Sequence, residues 1–402
     1  MNRWMGLAAS LLLSTATASL APAAILPTDL EARVGANYEP ADADERAIWQ
    51  SLGRVEQVIR TSPQRLIAPD LEAYIRGVVE RLIGRPAPEL RIYVMRDASF
   101  NAEMFPSGMM IVHTGVLARV RNEAQFAAVL GHEAGHYFRK HSIDRNRNVL
   151  YTSTMISVVA AARGSSGLGW DYRGPTWDLI NQANLTSVFK FSRYQESEAD
   201  AYGIMLMARA GYAPRAAAAM CVQLIDERRA SAAARGKRYL DRTSFELSTH
   251  PSTQRRVTDL TDTAAFLAGR GEAAGSEGRD EWAAAVAPYQ ALLLREQINL
   301  NDPGASLYLL ESLAERGWTG LLRFNEGEVY RLRHAQGDDA RAAEAYAAAS
   351  AQADAPPEAW RAHGYALLKA GSEAEAREAL SRYLRMKPDA PDAAMVRFTL
   401  AR

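Results

Sequence analysis

Apolar residues recur at intervals of three and four over two stretches near the start of the chain, 41–61 and 68–84. This spacing places them on one face of an α-helix, so both stretches are predicted to be helices. Two later runs, "ELRIYVMRD" from Glu89 and "MMIVHTG" from Met109, are rich in β-branched and aromatic residues. We predict that they are strands of a small sheet, joined by a loop over "NAEMFPSG".

Two longer helices are predicted in the middle of the chain. The first runs from about residue 123 past His141, and Asn122 with Gln125 can form a capping box at its start. The second starts near Asn181 or Asn184 and stops at Gly211. Between them lies a Gly-rich stretch, so we expect two facing helices with a cleft between them.

The first of these helices contains "GHEAGHYF", in which His132 and His136 are four residues apart and Glu133 follows the first. Side chains at this spacing share one face of an α-helix. Two neutral imidazoles so placed can hold one zinc ion, and the neighbouring carboxylate can take a proton from a zinc-bound water. The motif predicts a metallopeptidase. A coincidental pair of helical histidines is the alternative.

A catalytic zinc commonly has three protein ligands and one open position. The third ligand should come from another helix of the same domain, and "QESEADAYG" lies on the second helix. Its acidic residues are the candidates: Glu196, Glu198 and Asp200.

Composition limits the other possibilities. With 402 residues and 48% hydrophobic content, the chain can form two domains. The 47 basic and 47 acidic residues balance, and no long basic run indicates nucleic acid. The apolar stretch from Val149 is about 14 residues long, too short to span a bilayer, so no transmembrane helix is expected in the mature chain.

The first residues have the features of a secretory signal peptide, which we place at 1–24. Arg3 precedes an apolar run that extends through Leu13 and is followed by small residues. Cys221 is the single cysteine, so an exported chain must fold without an intramolecular disulfide. We interpret Cys221 as a small core residue.

The stretch 269–280, "GRGEAAGSEGRD", has little to bury and is predicted to be a linker after a first domain at 25–268. Beyond it, residues 281–402 have the pattern of paired helices. Gly337 and Gly371 lie 34 residues apart, and the last unit resembles a tetratricopeptide repeat. Such repeats stack into concave surfaces that bind peptides or proteins. A scaffold that only stabilises the first domain is the alternative.

The H-E-x-x-H motif followed by "ESEAD" resembles the gluzincin peptidases of the CAAX prenyl protease and HtpX type. "NAEMFPSGMMIVHTGVL" and "STHPS" are also similar to that family, and the resemblance covers about residues 40–265. It implies His132, His136 and Glu196 as ligands of one Zn²⁺ per chain and Glu133 as the general base. With its leader and repeats, the whole chain is most similar to periplasmic chaperone-proteases of this family.

Asp200 lies one turn after Glu196, which suits a residue that orients a ligand imidazole. Glu198 is expected to be solvated. Arg193 could pair with Asp200, bind substrate or form a structural salt bridge. His141 is expected to lie off the ligand face.

His250 in "STHPSTQRR" precedes Pro251, at the predicted start of a helix. In similar proteins of the family the matching histidine can occupy the open zinc position, which implies a latent enzyme. Stabilisation of the oxyanion is a competing role, and a histidine that only caps or packs is a third.

The predicted fold is therefore α+β and mostly helical, a gluzincin domain with a small sheet followed by an all-α tetratricopeptide-repeat solenoid. The predicted function is a periplasmic zinc endopeptidase that degrades unfolded or misassembled outer-membrane proteins, with substrate paired along "GMMIVH". Its repeats would contact the outer-membrane protein assembly machinery. The rivals are a chaperone or assembly factor with largely latent proteolysis, and a purely structural zinc site.

Overall fold

The computed structural model describes residues 39–144, 191–240, 254–271 and 275–401. The predicted signal peptide at 1–24 and His250 lie outside the described residues. Within the described ranges no helix is long and apolar enough to cross a membrane. Cys221 is buried, as predicted.

The helices are α1 (Ala43–Thr61), α2 (Pro69–Ile83), α3 (Thr114–Arg119), α4 (Glu123–Phe138), α5 (Arg193–Arg209), α6 (Arg215–Ala234), α7 (Gln254–Gly269), α8 (Arg279–Val286), α9 (Gln290–Asn299), α10 (Pro303–Leu313), α11 (Gly320–Arg333), α12 (Asp338–Ser350), α13 (Pro357–Lys369), α14 (Glu373–Met386) and α15 (Ala393–Leu400). The strands are β1 (Arg65–Leu66), β2 (Arg91–Met95), β3 (Ala102–Met104) and β4 (Met109–His113). The described residues are mostly helical with one four-stranded sheet, which confirms the predicted α+β class.

Helices α1 and α2 confirm the first two predicted helices, and local capping explains their ends. The Asp42 side chain accepts a hydrogen bond from the Glu45 amide at the start of α1. Helix α2 has Pro69 in its first turn and ends at Gly84, whose φ of 70° lies in the left-handed region. Because glycine adopts this φ without strain, α2 ends before Pro86 is reached.

The sheet has the strand order β1-β2-β4-β3. Its central strands, β2 and β4, are the two predicted ones and run parallel, with Tyr93 opposite Ile111. The predicted loop "NAEMFPSG" instead contains β3, which pairs antiparallel with β4. Because β4 lies between β2 and β3, the prediction that substrate pairs along 108–113 is wrong. In the described part of the chain, β3 is the outer strand of the sheet on that side.

Helix α4 begins where predicted but ends earlier. The Asn122 side chain accepts from the Gln125 amide, while the Gln125 side chain accepts from the Arg121 amide, so the capping box is half formed. The helix ends at Phe138, and Lys140 has a φ of 61°. This left-handed residue turns the chain before His141.

Helix α5 begins later than predicted. Ser192 forms a complete capping box with Gln195, so the helix starts at Arg193 rather than near Asn181 or Asn184, which lie outside the described residues.

The last part of the chain is all helical. Helices α11 and α12 pack as a pair, as do α13 and α14. Gly337 and Gly371 precede α12 and α14 with the same φ of 81°, which reproduces the 34-residue period of the sequence. The helix pairing predicted for this part of the chain is therefore confirmed.

One hydrophobic cluster extends from the sheet and α4 into α8 to α11. The ring centroids of Phe126 and Trp282 are 4.8 Å apart, and Trp282 Nε1 donates to the Val120 carbonyl at 2.8 Å. The predicted linker contributes to this packing, since the Ala124 amide donates to the Glu277 carbonyl at 3.0 Å. The described part of that stretch is thus fixed to α4, while the division into domains stays a prediction.

Candidate metal centre

His132, His136 and Glu196 converge where α4 faces α5. The two Nε2 atoms are 3.1 Å apart, and the carboxylate oxygens of Glu196 lie 3.6 Å from His132 Nε2 and 3.5 Å from His136 Nε2. One ligand atom from each residue lies within 4.8 Å of the other two. Two imidazole nitrogens and one carboxylate oxygen are a donor set found in catalytic zinc sites that keep one position open. The structure thus brings the predicted ligands together as a candidate metal site.

Close backbone packing between α4 and α5 makes this convergence possible. A Cβ atom on Gly203 would lie 2.8 Å from the carbonyl carbon of Gly131 and from the His132 amide nitrogen. A Cβ atom on Gly135 would lie 2.9 Å from the Ala199 Cα. Both separations are shorter than van der Waals contact, so larger residues would force the helices apart.

The side of the His132 ring that faces away from the metal position is held by Asp200, the residue predicted to orient an imidazole. His132 Nδ1 is 2.7 Å from Asp200 Oδ1. Because an ionised carboxylate can only accept, Nδ1 donates and Nε2 is left unprotonated toward the metal position.

Arg256 of α7 holds Asp200 from the other side. Its Nε and Nη2 donate to the two carboxylate oxygens at 2.7 and 2.6 Å. Burial raises the pKa of Asp200, but Arg256 and His132 outweigh it, and the net pKa is below its ordinary value. Arg193, one predicted partner of Asp200, is exposed, and that pairing is not the one observed.

The second imidazole, His136, has a different set of partners. Its Nδ1 lies 2.9 Å from His141 Nδ1, and His141 Nε2 lies 3.1 Å from Glu198 Oε2. Arg139 Nε donates to Glu198 at 2.6 Å. Phe191 stacks on the His136 ring with centroids 3.8 Å apart. The expectation that Glu198 is solvated is therefore wrong. His141, expected off the ligand face, contacts His136 on the side that faces away from the metal position.

The partners of His136 also define its proton positions. Burial lowers the pKa of His141, so this ring favours its neutral form. A neutral His141 that donates from Nε2 to Glu198 accepts at Nδ1 from His136 Nδ1. His136 Nε2 is then unprotonated on the side of the metal position, as for His132.

Glu133 lies at the wall of a cavity of about 60 Å³, is only 4% exposed and has His132 beside it. Asn101 and Ala102, at the start of β3, line the same cavity. Much of the remaining wall is apolar, and its larger side chains from α5, α6 and α7 are Ile204, Met207, Met220, Leu224 and Leu260. The candidate general base and the residues at the start of β3 thus border one mainly apolar cavity.

Sequence reasoning missed Arg256, His141 and Phe191. His141, five residues after His136, is visible in the sequence, but its contact with the His136 ring depends on the turn at Lys140. Arg256 lies in "STHPSTQRR", which was noted for its histidine alone. His250 itself lies outside the described residues, and its role stays a prediction.

Residues 66–264 match the family described as Peptidase family M48. Over 190 residues the chain is 30% identical to the mitochondrial metalloendopeptidase OMA1 of Schizosaccharomyces pombe, covering 46% of this chain and 51% of the relative. It is 25% identical over 214 residues to the beta-barrel assembly-enhancing protease of Escherichia coli O157:H7, covering 50% of this chain and 40% of the relative. The chain spans about half the length, or less, of these relatives.

The mitochondrial relatives, which include an OMA1 of Arabidopsis thaliana at 31% identity, contradict the predicted periplasmic location. That prediction depended on Arg3 and a short apolar run. One basic residue before such a run is a weak signal, and it does not separate export from other targeting.

The matched range contains every described residue of the candidate centre and its partners: His132, Glu133, His136, Arg139, His141, Phe191, Glu196, Glu198, Asp200 and Arg256. The predicted resemblance to a gluzincin peptidase is confirmed. Residues 66–264 form a metallopeptidase domain of peptidase family M48.

Proposed function

We propose that this protein is a zinc-dependent endopeptidase that cleaves unfolded or misassembled polypeptides. The observation that carries the proposal is the convergence of three ligand side chains from α4 and α5, with Glu133, the neighbour of His132, at the wall of a cavity. The nitrogen and oxygen donors of His132, His136 and Glu196 suit zinc. Bound there, zinc would supply Lewis-acid chemistry that polarises a peptide carbonyl and acidifies water.

The residues of the chain supply the proton transfers and the alignment. Glu133 takes the proton of the attacking water and returns it to the leaving amine. Asp200 and His141 hold the two imidazoles so that both Nε2 atoms face the same point. Because these partners are already in place, little reorganisation is needed when substrate binds.

The start of β3 is the proposed contact for substrate, because Asn101 and Ala102 line the cavity beside Glu133. An extended segment could bind in this cavity through main-chain hydrogen bonds, which tolerate many sequences. Only a locally unfolded segment can offer its backbone in this way, which favours unfolded or misassembled substrates.

For the physiological substrates we propose β-barrel proteins that fail to assemble, because several relatives are named beta-barrel assembly-enhancing proteases. We propose that α11 to α14 are tetratricopeptide repeats that contact the assembly machinery for such proteins. The repeated left-handed glycines before α12 and α14 support this interpretation.

The test is zinc content together with casein cleavage, with Glu133→Gln as the decisive variant. This variant keeps the size of the side chain but removes the general base, so it should retain zinc and lose roughly 10²- to 10⁴-fold in kcat. Glu326→Gln, in α11 and paired with Arg323, is the matched control and should behave as wild type.

If the wild type retains zinc but cleaves no casein, the proposed function is instead that of a chaperone that acts through its repeats. His250→Ala belongs in the same assay, because the resemblance predicts that cleavage rises when this histidine is removed. Equal cleavage by wild type and Glu133→Gln would contradict the peptidase mechanism.

A further inference from the structure

Helix α6 forms part of the wall of the cavity that Glu133 borders. Four of its residues line this cavity at intervals of three and four: Ala217, Met220, Cys221 and Leu224. At this spacing they share one face of the helix. Gln223 and Glu227, four residues apart, share a second face roughly a quarter of a turn away. A shift of α6 would therefore move the cavity wall relative to Glu133.

The second face of α6 is bonded to Arg119, the last residue of α3. Glu227 accepts from Arg119 Nη2 and from Arg119 Nε, both at 2.8 Å. Gln223 Nε2 donates to the Arg119 carbonyl. Each of the three residues is at most 7% exposed. Because water does not reach these groups, each bond is costly to break, and α6 is fixed to Arg119 at two points.

Gln297 of α9 holds the same guanidinium from the C-terminal helices, α8 to α15. Arg119 Nη2 donates to Gln297 Oε1 at 2.7 Å, and Gln297 is 1% exposed. Arg119 Nη1 donates to the carbonyls of Ala98 and Gly115 at 3.0 and 3.1 Å. Together with the two bonds to Glu227, these contacts use all five N–H groups of the guanidinium. Loss of the Gln297 oxygen would leave one of these donors buried and unpaired.

Helix α10 also packs directly on the later part of α6. Asp302, which caps α10, accepts from Ser231 Oγ at 2.6 Å. A Cβ atom on Gly304 would lie 2.7 Å from the Ala234 Cβ, so the two helices are in close contact there. The C-terminal helices thus hold α6 both through Arg119 and directly.

We propose that Gln297 is a positioning residue for substrate selection: through Arg119 it holds α6, and it thereby fixes the width of the cavity that receives an apolar side chain of the substrate. This inference rests on the proposed function. An apolar cavity discriminates between side chains by how closely they fill it, so a wall that can move discriminates less. In the described part of the chain no residue of α8 to α15 lines the cavity, so these helices act on it through α6.

The experiment uses the full chain with two buried amides replaced by an apolar residue of similar shape, Gln297→Met on α9 and Gln223→Met on α6. Gln223→Met should leave the fold intact, because it also removes a buried oxygen that has no hydrogen-bond partner among the described residues. Asn325→Leu is the matched control, since this buried amide donates to the Leu321 carbonyl of its own helix. Leu224→Ala, on the wall itself, is the reference for altered selection.

Each protein is assayed for zinc content, for amide hydrogen exchange over residues 217–227, and for cleavage of a peptide mixture whose products are identified by mass spectrometry. We expect the wild type to favour leucine over alanine beside the cleaved bond. In both glutamine variants this preference should fall roughly three- to tenfold, with zinc retained and faster exchange over 217–227. Because the preference compares two peptides in one sample of enzyme, a smaller folded fraction does not change it.

Unchanged preference in both glutamine variants would overturn the proposal, and so would an equal change in Asn325→Leu. Loss of zinc or of the folded state in both glutamine variants would also overturn it, since the two residues would then be structural. An unchanged preference in Leu224→Ala would show that the cavity receives no substrate side chain. If the wild type cleaves no peptide, the proposed function fails, while the exchange comparison still decides whether Gln297 holds α6.

Discussion

Each histidine of the candidate site has a polar partner on the ring nitrogen that faces away from the metal position. His132 has Asp200, and His136 has His141. Each partner is held by a further hydrogen bond. Arg256 bonds to Asp200, and Glu198 bonds to His141. Such partners fix ring orientation and tautomer before the metal binds.

Asp200→Asn should weaken zinc binding by about 10- to 100-fold, because the neutral amide binds Arg256 less strongly and does not stabilise the His132 tautomer. Competition with a chelator measures the change. Asp226→Asn, on the surface of α6 and paired with Arg229, is the control. Equal zinc affinity in the two variants would show that Asp200 has no orienting role.

Among elements, the contact between α4 and α5 has the strictest steric requirement. Gly203→Ala places a methyl group 2.8 Å from the α4 backbone, so the helices must separate and carry Glu196 away from the histidines. We expect a loss of about 1–3 kcal/mol in the free energy of unfolding and weaker zinc binding.

Urea unfolding and zinc titration of the Gly203→Ala protein test this expectation. Gly77→Ala in α2 is the control, because nothing lies within 4 Å of its new methyl group. Alanine favours a helix over glycine by about 1 kcal/mol, so the control should be slightly more stable than wild type. A Gly203→Ala protein that gains stability in the same way would contradict the packing account.

Asp338, at the start of α12, makes a pH-dependent contribution to the free energy of unfolding. Its carboxylate accepts from Arg333 Nη2 at 2.6 Å and from Arg341 Nη1 at 3.1 Å, and hydrogen bonds from Arg333 hold its pKa below the ordinary value. A lowered pKa in the folded state stabilises the protein above the unfolded pKa, and the contribution is lost as the pH falls through the folded pKa.

Asp338→Asn should therefore reduce the free energy of unfolding by about 1–2 kcal/mol at neutral pH. The difference from wild type should shrink as the pH falls below about 4. Denaturant unfolding at several pH values measures it. Asp339→Asn is the neighbouring control, with an exposed side chain whose pairing to Lys369 contributes little. A pH-independent difference would exclude the ionic explanation.

The sequence predicted those elements whose signals are local. Helices α1 and α2 and strands β2 and β4 have clear periodicity, and the H-E-x-x-H spacing needs only one helix. Strand β3 is only three residues long, and its extended conformation depends on pairing with β4. A local sequence pattern carries no information about that pairing. The end of α4 was missed because Lys140 adopts a left-handed φ without a glycine or proline to mark it.

The partners of the histidines were harder to predict for a related reason. Arg256 comes from α7, which follows His132 by more than a hundred residues, and tertiary packing alone brings the two together. Glu198 was expected to be solvated because it points to another face of the helix than Glu196 and Asp200. Its partners, Arg139 and His141, lie beyond the end of α4.

At the scale of the whole molecule, the peptidase domain and the C-terminal helices share buried contacts. Arg119 of α3 joins Glu227 of α6 to Gln297 of α9, and Trp282 inserts beside Phe126. The composition of 269–280 predicted a linker. Composition does not reveal backbone hydrogen bonds, such as the one from the Ala124 amide to the Glu277 carbonyl, so the packing of this stretch on α4 was not predicted.

These shared contacts would hold the two parts of the chain together even without an intact backbone between them. If the backbone were cut between Gly271 and Gly275, the buried hydrogen bond from Arg119 to Gln297 and the inserted Trp282 would still join the two pieces. The pieces would then behave as two subunits of a heterodimer. Produced separately and mixed, they should reassemble into a complex that binds zinc and cleaves peptide.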